Sequence, residues 1–356
     1  MDWYPLKLTY HVRSYYFGER LIPEMLGKRG TPEGTVAETW EVSDHRDARA
    51  EVTNGPLAGR PFHELVERCP GELVGEGFDG SEFPLLLKFL DASHMLPVHL
   101  HPDDEIARRL HGEPHGKTEA WHILWAAEGA TILAGIEEGL SRQDLFDAFK
   151  AEDYERVMPR HQIRTGDTVY VPGGIIHTFG PDTLIFEVQQ TSDLGQFVMP
   201  FDLYNNRLSE REWEANIDAT LDELKTDYLP TPTPGLVLDD GPNRRLLCAA
   251  GPPFALERWT VVEPLTIPAD PTRCLTLSNV GAPCRLDHAG GEETLGRAES
   301  CVLPAAIGEV AVVPEEGGEG SLVVCYVPDL ERDVIEPLRA AGYADDEIRT
   351  LGEVGI

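Results

Sequence analysis

Long hydrophobic runs are missing from this sequence. No stretch of about 18 apolar residues occurs, so a membrane-spanning helix is not expected. The N-terminus, MDWYPLKLTYHVRSYYFG, is polar and aromatic and lacks the apolar core of a signal peptide. Cysteine is sparse: Cys69, Cys248, Cys274, Cys284, Cys301 and Cys325 form no CxxC pair and no dense framework. Reduced thiols and a cytoplasmic location are the expectation. Positive charge is also scarce. Thirty Lys and Arg, only six of them Lys, stand against 62 Asp and Glu, a net charge of −32. A field of that sign disfavours nucleic acid and anionic membrane surfaces as partners. An anionic substrate would need a local Arg or Lys pocket that screening isolates from the rest.

What is present is ordinary for a globular protein, with 41% hydrophobic and 26% charged residues. A chain of 356 residues exceeds one ordinary core. The Pro-rich stop DYLPTPTPG (227–235) marks the best boundary. The expected organisation is a domain over 1–230 with helical insertions at about 141–158 and 208–226, a β domain over 236–328, and a helical tail over 329–356. In the first part, PFHELVERC (61–69) has helical spacing and FPLLLKFLDA (83–92) reads as a buried strand or short element. The region 97–135 is strand-rich. Ser141 and Ser209 are N-cap candidates for the two inserted helices, the second with a Trp213, Ile217, Leu221, Leu224 stripe. Beyond 240, short β runs at regular spacing (FALERWTV, RCLTLSNV, ESCVLP, EVAVVP, SLVVCYV) suggest a small sandwich or barrel. This part contains one His, His288, and no HxH pair, so no second metal is expected.

The chemistry concentrates in three short pieces, HLHPDDE (99–105), GKTEAWHIL (116–124) and VPGGIIHTFG (171–180). In a strand, residues i and i+2 share a face, so His99 and His101 present two imidazoles to one point. Glu119 opens a further apolar strand, and His177 follows another (TVYVP). In a barrel all four side chains can converge. Mixed imidazole and carboxylate ligation suits zinc, iron, manganese, cobalt or nickel. His122 falls on the opposite face from Glu119, so an outward or supporting position is expected for it. Asp103 and Asp104 read either as a solvated turn or as partners that orient a ligand imidazole. Trp121, Trp125, Tyr170 and Phe197 could form an apolar platform for a sugar, although Trp125 and Tyr170 read better as core.

The motifs AETWEVSDH (37–45), TNGPLAGRPF (53–62), FPLLLKFLDA (83–92), VHLHPDDE (98–105), GKTEAWHIL (116–124), GDTVYVPGGIIHTFG (166–180) and FEVQQTSD (186–193) occur in the order seen in type I mannose-6-phosphate isomerases. Most of residues 1–195 resembles that family, particularly its shorter bacterial branch. The resemblance implies a mostly β fold of cupin (jelly-roll) barrels in tandem with a few added helices, the second barrel metal-free. It places His101, Glu119 and His177 on the metal ligands, and His99 on a more variable ligand position. It implies one divalent ion, zinc first and iron, manganese, cobalt or nickel behind it. Lys117 lies near the sugar in such proteins, and Lys88 and Glu38 lie around the same barrel.

The expected activity is therefore aldose–ketose isomerisation of a sugar phosphate such as mannose 6-phosphate, with Lys117 and Glu119 catalytic. A lowered Lys117 pKa beside the dication would suit proton transfer. The substrate-binding candidates are Lys88, Lys117, Phe197 and Arg207. One departure stands out: four residues past the Asp of QQTSD the family carries an Arg, and this chain has Phe197. Arg207 is the cation that a shifted loop could supply instead. The alternatives are a metal-bearing cupin that acts on or binds a non-phosphorylated sugar, an oxygenase-like cupin, and a non-catalytic sugar-binding homologue. The partner is a small sugar or sugar phosphate, and the chain is expected to be a monomer or homodimer.

Overall fold

Two sets of eight strands repeat one topology. The computed structural model describes Met1–Ile356. In the first set the strands run, in chain order, Leu85–Ala92, His99–Leu100, Glu119–Ala126, Thr131–Ala134, Arg160–Gln162, Thr168–Val171, His177–Phe179 and Thr183–Gln190. The first, eighth, third and sixth lie side by side in one antiparallel sheet, and the second, seventh, fourth and fifth in the facing sheet. The second set runs Phe254–Val261, Leu265–Ile267, Leu275–Asn279, Cys284–His288, Gly291–Leu295, Ser300–Leu303, Val310–Pro314 and Gly320–Tyr326, and its strands are ordered identically. Each set is a jelly roll. The duplication is structural, because the two halves share no close sequence repeat.

The alternation of side chains across each strand produces five layers. Helices Arg142–Lys150 and Glu210–Glu223 cover the outer face of the first barrel's small sheet, burying Leu145, Phe149, Trp213 and Ile217 against Leu100, Leu133 and Ile176. Both helices start at the serines marked in the sequence, Ser141 and Ser209, each within a capping box. Inside the first barrel, Trp121, Ile123, Val169 and Ile185 of the large sheet meet Ile132, Ala134 and Phe179 of the small one. The outward face of the same large sheet (Leu85, Leu87, Phe89, Ala120, Phe186, Val188) rests on Phe254, Leu256, Cys248, Val323 and Cys325 of the second barrel. The second barrel's own interior follows, closed by residues of the tail such as Val334, Leu338 and Ile348.

The largest apolar cluster thus lies between the barrels rather than within either. The chain also crosses that boundary at its start: Leu6–Lys7 pairs with Ser300–Leu303 of the second barrel. One expectation needs correction in detail. The stretch 97–135 is not all strand, for a helical segment, Asp104–His111, follows HLHP. No two cysteines are bonded, and no helix is long and apolar enough to cross a membrane.

Because strands of the first barrel bury one whole face on the second, residues 1–230 produced alone would expose a large apolar patch. Such a fragment should be aggregated or only partly folded. A monodisperse product with the metal affinity of the intact chain would show that the interface is dispensable.

Candidate metal centre

The pieces carrying the site lock onto one another through backbone. Gly174 N donates to His101 O at 2.6 Å, and Lys117 N donates to Pro102 O at 2.9 Å. Gly116 and Gly173 both lie against Pro102–Asp103. A Cβ on either would come within 2.3 Å and 2.7 Å, respectively, of that backbone, so a larger residue would push the loops apart. Gly173 N also donates to Thr118 Oγ1 at 3.1 Å. The HPDD, GKTE and PGG turns are therefore one unit.

On this unit His99 and His177 are directly paired residues of neighbouring antiparallel strands. Their rings lie 4.3 Å apart, and His101 lies 4.8 Å and 5.3 Å from them. Each imidazole has Nδ1 against a backbone carbonyl: His99 on Pro97 O (2.7 Å), His177 on Ile175 O (2.8 Å), His101 on Leu194 O (2.5 Å). A carbonyl oxygen only accepts, so Nδ1 must carry the hydrogen and Nε2 must be a lone pair in the neutral ring. The Nε2 atoms of His99 and His177 face each other at 3.1 Å, and His177 Nε2 lies 3.1 Å from Glu119 Oε1. Two ligands about 2.1 Å from one ion lie roughly 3.0–3.4 Å apart. The three histidines have their ligand atoms mutually within 4.8 Å and all are buried.

This donor set fits a divalent cation on two counts. The lone pairs of His99 and His177 converge with no proton between them, beside Glu119 Oε1. The barrel interior also carries surplus negative charge. Lys88 Nζ lies 3.7 Å from Glu38 and 3.3 Å from Glu187, and Lys117 Nζ lies 3.5 Å from Glu187 and 2.8 Å from Glu119. Three carboxylates against two ammonium groups leave one net negative charge in a low-dielectric interior, which a cation relieves.

The environment shifts these groups as expected from their burial. Desolvation pushes His99 and His101 well below the usual imidazole range, which keeps them neutral ligands. Burial alone would raise Glu119, but Lys117, His101 and His177 outweigh it and hold it well below the carboxylate range. Burial raises Glu187 despite Lys88 and Lys117. For Lys117, burial opposes the charge, but Glu119 and Glu187 more than compensate and raise its pKa. The lowering expected from the sequence rests on a neighbouring dication, whereas this raising reflects the two carboxylates alone.

The remaining candidates fall as follows. Phe197 pairs with His99 across neighbouring strands and stacks on its ring, with centroids 5.6 Å apart. Lys88 is fully enclosed between Glu38 and Glu187. Arg207 is exposed, with its backbone bridged to Phe201. Trp121 is buried, and its indole donates to Glu119 Oε1 at 2.9 Å. The same tripeptide clip recurs at Glu38–Trp40 and Glu257–Trp259. Tyr170 lies between the barrels and donates to Glu353, and Trp125 packs at that interface. Asp103 and Asp104 do not hold an imidazole. Asp103 caps Ile106 N, and Asp104 accepts from Gly116 N and Gln190, while backbone carbonyls orient the rings. His122 points away from the centre, its ring nitrogen Nδ1 2.9 Å from Thr168 Oγ1.

Glu187 is the residue that sequence reasoning missed. Its signal was a charge between Phe186 and Val188 in a strand otherwise read as buried, a position where a charge is rarely tolerated without a partner. A polar cavity of about 220 Å³ opens beside the centre at Ser192–Leu194, lined by His45, Arg46 and His115 and by the carboxylates Asp47, Glu82, Glu113 and Asp193. Arg46 pairs there with Glu113 at 2.8 Å.

Tandem jelly rolls with a His and Glu centre inside the first define the class: a bicupin whose first barrel carries a histidine cluster able to hold a metal ion. Residues 6–119 match the family model for the phosphomannose isomerase type I catalytic domain. The mannose-6-phosphate isomerase of Streptococcus mutans is 34% identical over 230 residues, 65% of this chain and 71% of that protein. A probable mannose-6-phosphate isomerase of Bacillus subtilis is 28% identical over 283 residues, 79% of this chain and 87% of that one. In fold, the crystal structure of the mannose 6-phosphate isomerase from Bacillus subtilis superposes with a TM-score of 0.79 at 24% identity, covering 90% of this chain and 99% of that one. The chain belongs to the type I phosphomannose isomerase family.

Two measurements check the site. Glu119→Gln and His177→Ala should each lower bound metal per chain severely, as read by elemental analysis after gel filtration, and full metal content in both would remove the assignment. His122 is the second test. Burial, then the charge of Arg258, depresses its pKa to about 3. Unfolded chains take up that proton near pH 6.5, whereas the folded chain does not, so stability conferred by neutral His122 is lost as pH falls from about 6.5 towards 3. A His122→Gln variant should lose less stability than the native chain between pH 7 and pH 4.5 in urea titrations.

Proposed function

We propose that the protein is an isomerase that interconverts mannose 6-phosphate and its ketose isomer, using one divalent ion held by His99, His101, Glu119 and His177, zinc first among the candidates. The observation that carries this reading is the convergence of three fixed Nε2 lone pairs and one carboxylate, with Lys117 Nζ 3.0 Å from His101 Nε2 and 2.8 Å from Glu119 Oε2. Family membership supports it.

Isomerisation moves a proton between C1 and C2 while negative charge builds on the two oxygens. An ion bound there supplies Lewis-acid stabilisation of that charge, a contribution of several kcal/mol. The chain's own groups do the rest. Backbone carbonyls of Pro97, Ile175 and Leu194 hold the three rings in one tautomer. Lys117 Nζ, held between Glu119 and Glu187, is the group we assign to carry the proton, taking it from one carbon and returning it to the other. Lys88 holds Glu187, and the ring of Phe197 fixes His99 from the side. The polar cavity at Ser192–Leu194, where Arg46, His45 and His115 stand among Asp47, Glu82, Glu113 and Asp193, is the place we assign to the phosphate end, which requires Arg46 to exchange Glu113 for the phosphate.

One observation favours a second reading, in which the sugar lacks phosphate. Phe197 stands where the resemblance places an arginine, and Arg207 sits exposed with its backbone tied to Phe201. A coupled assay comparing mannose 6-phosphate with mannose and lyxose separates the two. The first reading expects a kcat/KM preference of at least a hundredfold for the phosphorylated sugar, and parity would favour the second. Lys117→Met should lower kcat by about 10²–10⁴ with metal content kept. Arg46→Met should raise KM for the phosphorylated sugar more than it lowers kcat.

A further inference from the structure

A second cavity lies behind the catalytic barrel and is not used by the reaction above. It has a volume of about 270 Å³ and opens where the two barrels meet, between strand Glu119–Ala126 of one and strand Phe254–Val261 of the other. Its lining is largely apolar, with Leu124, Trp125, Leu184 and Val280 among the side chains, and includes the cations Arg258 and Arg297.

Arg258 is the anomaly. Along its strand, Glu257 and Trp259 face the interior of the second barrel, while Leu256 and Arg258 face the first barrel. Leu256 is covered by apolar side chains. Arg258 is a charge in the same sheet-on-sheet seam, and its Nη1 is sealed from solvent with no hydrogen-bond partner. No carboxylate forms an ion pair with it; Glu319 acts on it only from a distance. This is unusual in a chain with 62 acidic residues against 30 basic ones: most other arginines have a carboxylate or carbonyl partner, and of those that do not, Arg29, Arg109, Arg164, Arg207 and Arg211 are exposed to solvent. Arg258 is half-buried, and a guanidinium nitrogen sealed without a partner is costly, so such a group is normally paired. Burial lowers the Arg258 pKa to about 10, which leaves it charged at neutral pH. Arg297 lines the same cavity with part of its guanidinium free. Its Nε donates to Leu26 O and its Nη2 reaches Met25 O, while Nη1 has no such partner. Two guanidinium groups around one cavity form a fork-rich acceptor site for oxygen anions.

We propose that this cavity is an anion site, in which Arg258 and Arg297 hold a small oxyanion, a phosphate or carboxylate group, whose body rests on Leu124, Trp125 and Leu184. The site is separate from the metal centre. Strand Glu119–Ala126 divides the two, with Glu119 facing the metal side and His122 the cavity. It does not depend on the substrate assigned above.

Thermal unfolding of the metal-loaded protein, titrated with inorganic phosphate and separately with benzoate against chloride at constant ionic strength, tests it. The native chain should gain several degrees in Tm with at least one of the two anions, and the stronger anion identifies the group preferred. Arg258→Met should raise the half-saturating concentration at least tenfold. Val280→Phe, which fills the cavity while leaving both arginines in place, should do the same and guards against a folding defect in the first variant. An equal response of the native chain and both variants would place the anion elsewhere, and no response of the native chain to either anion would mean that the cavity takes none. Either result overturns the proposal.

Discussion

Three hydrogen bonds from imidazole Nδ1 to backbone carbonyl oxygens determine what this protein can do. They fix the tautomer of His99, His101 and His177, and with it the direction of every free lone pair at the centre. The acceptors are main-chain atoms, so the geometry is set by the fold and not by a further side chain that a mutation could remove. Two of the carbonyls come from the histidine's own turn, at Pro97 and Ile175. The third, Leu194, comes from the loop after the last strand of the barrel, and this closes the site on itself.

The fold exists around that centre in layers. Each large sheet is apolar on both faces, one towards its own barrel interior and the other towards the opposite barrel. Strands of this kind carry near-continuous hydrophobic runs, as FPLLLKFLDA does. A charge inside them is costly unless it is paired. The interior of the first barrel meets that demand with the chain Glu38, Lys88, Glu187, Lys117 and Glu119, each within 3.7 Å of the next. Each of these residues is therefore a structural ion-pair partner in the same barrel interior as the histidine cluster.

Much of this was legible in the sequence. Period-2 spacing placed His99 and His101 together and put His122 on the other face of the Glu119 strand, and the serines at 141 and 209 marked their helices. The resemblance supplied the order of motifs and hence the tandem cupin fold. Other features were not legible because they are long-range or belong to the backbone. The second partner of Lys117, after the neighbouring Glu119, is Glu187, seventy residues away in sequence, and no local pattern joins those two. The acceptor for His101 is a carbonyl, which every residue possesses. The raised pKa of Lys117 depends on distances that only the folded barrel defines. The helical segment at 104–111 was overlooked because a His and Pro turn precedes it and only Asp103 caps it.

The Glu-x-Trp clip has a consequence of its own. At Glu38–Trp40, Glu119–Trp121 and Glu257–Trp259 an indole N–H neutralises part of a buried carboxylate's demand from two residues along the same strand. A device contained in three consecutive residues requires nothing from the remote parts of the chain. The clips stand on non-equivalent strands, the third of the first barrel and the first of the second, so the device recurs wherever an acid is enclosed, although only the first barrel surrounds its acid with imidazoles.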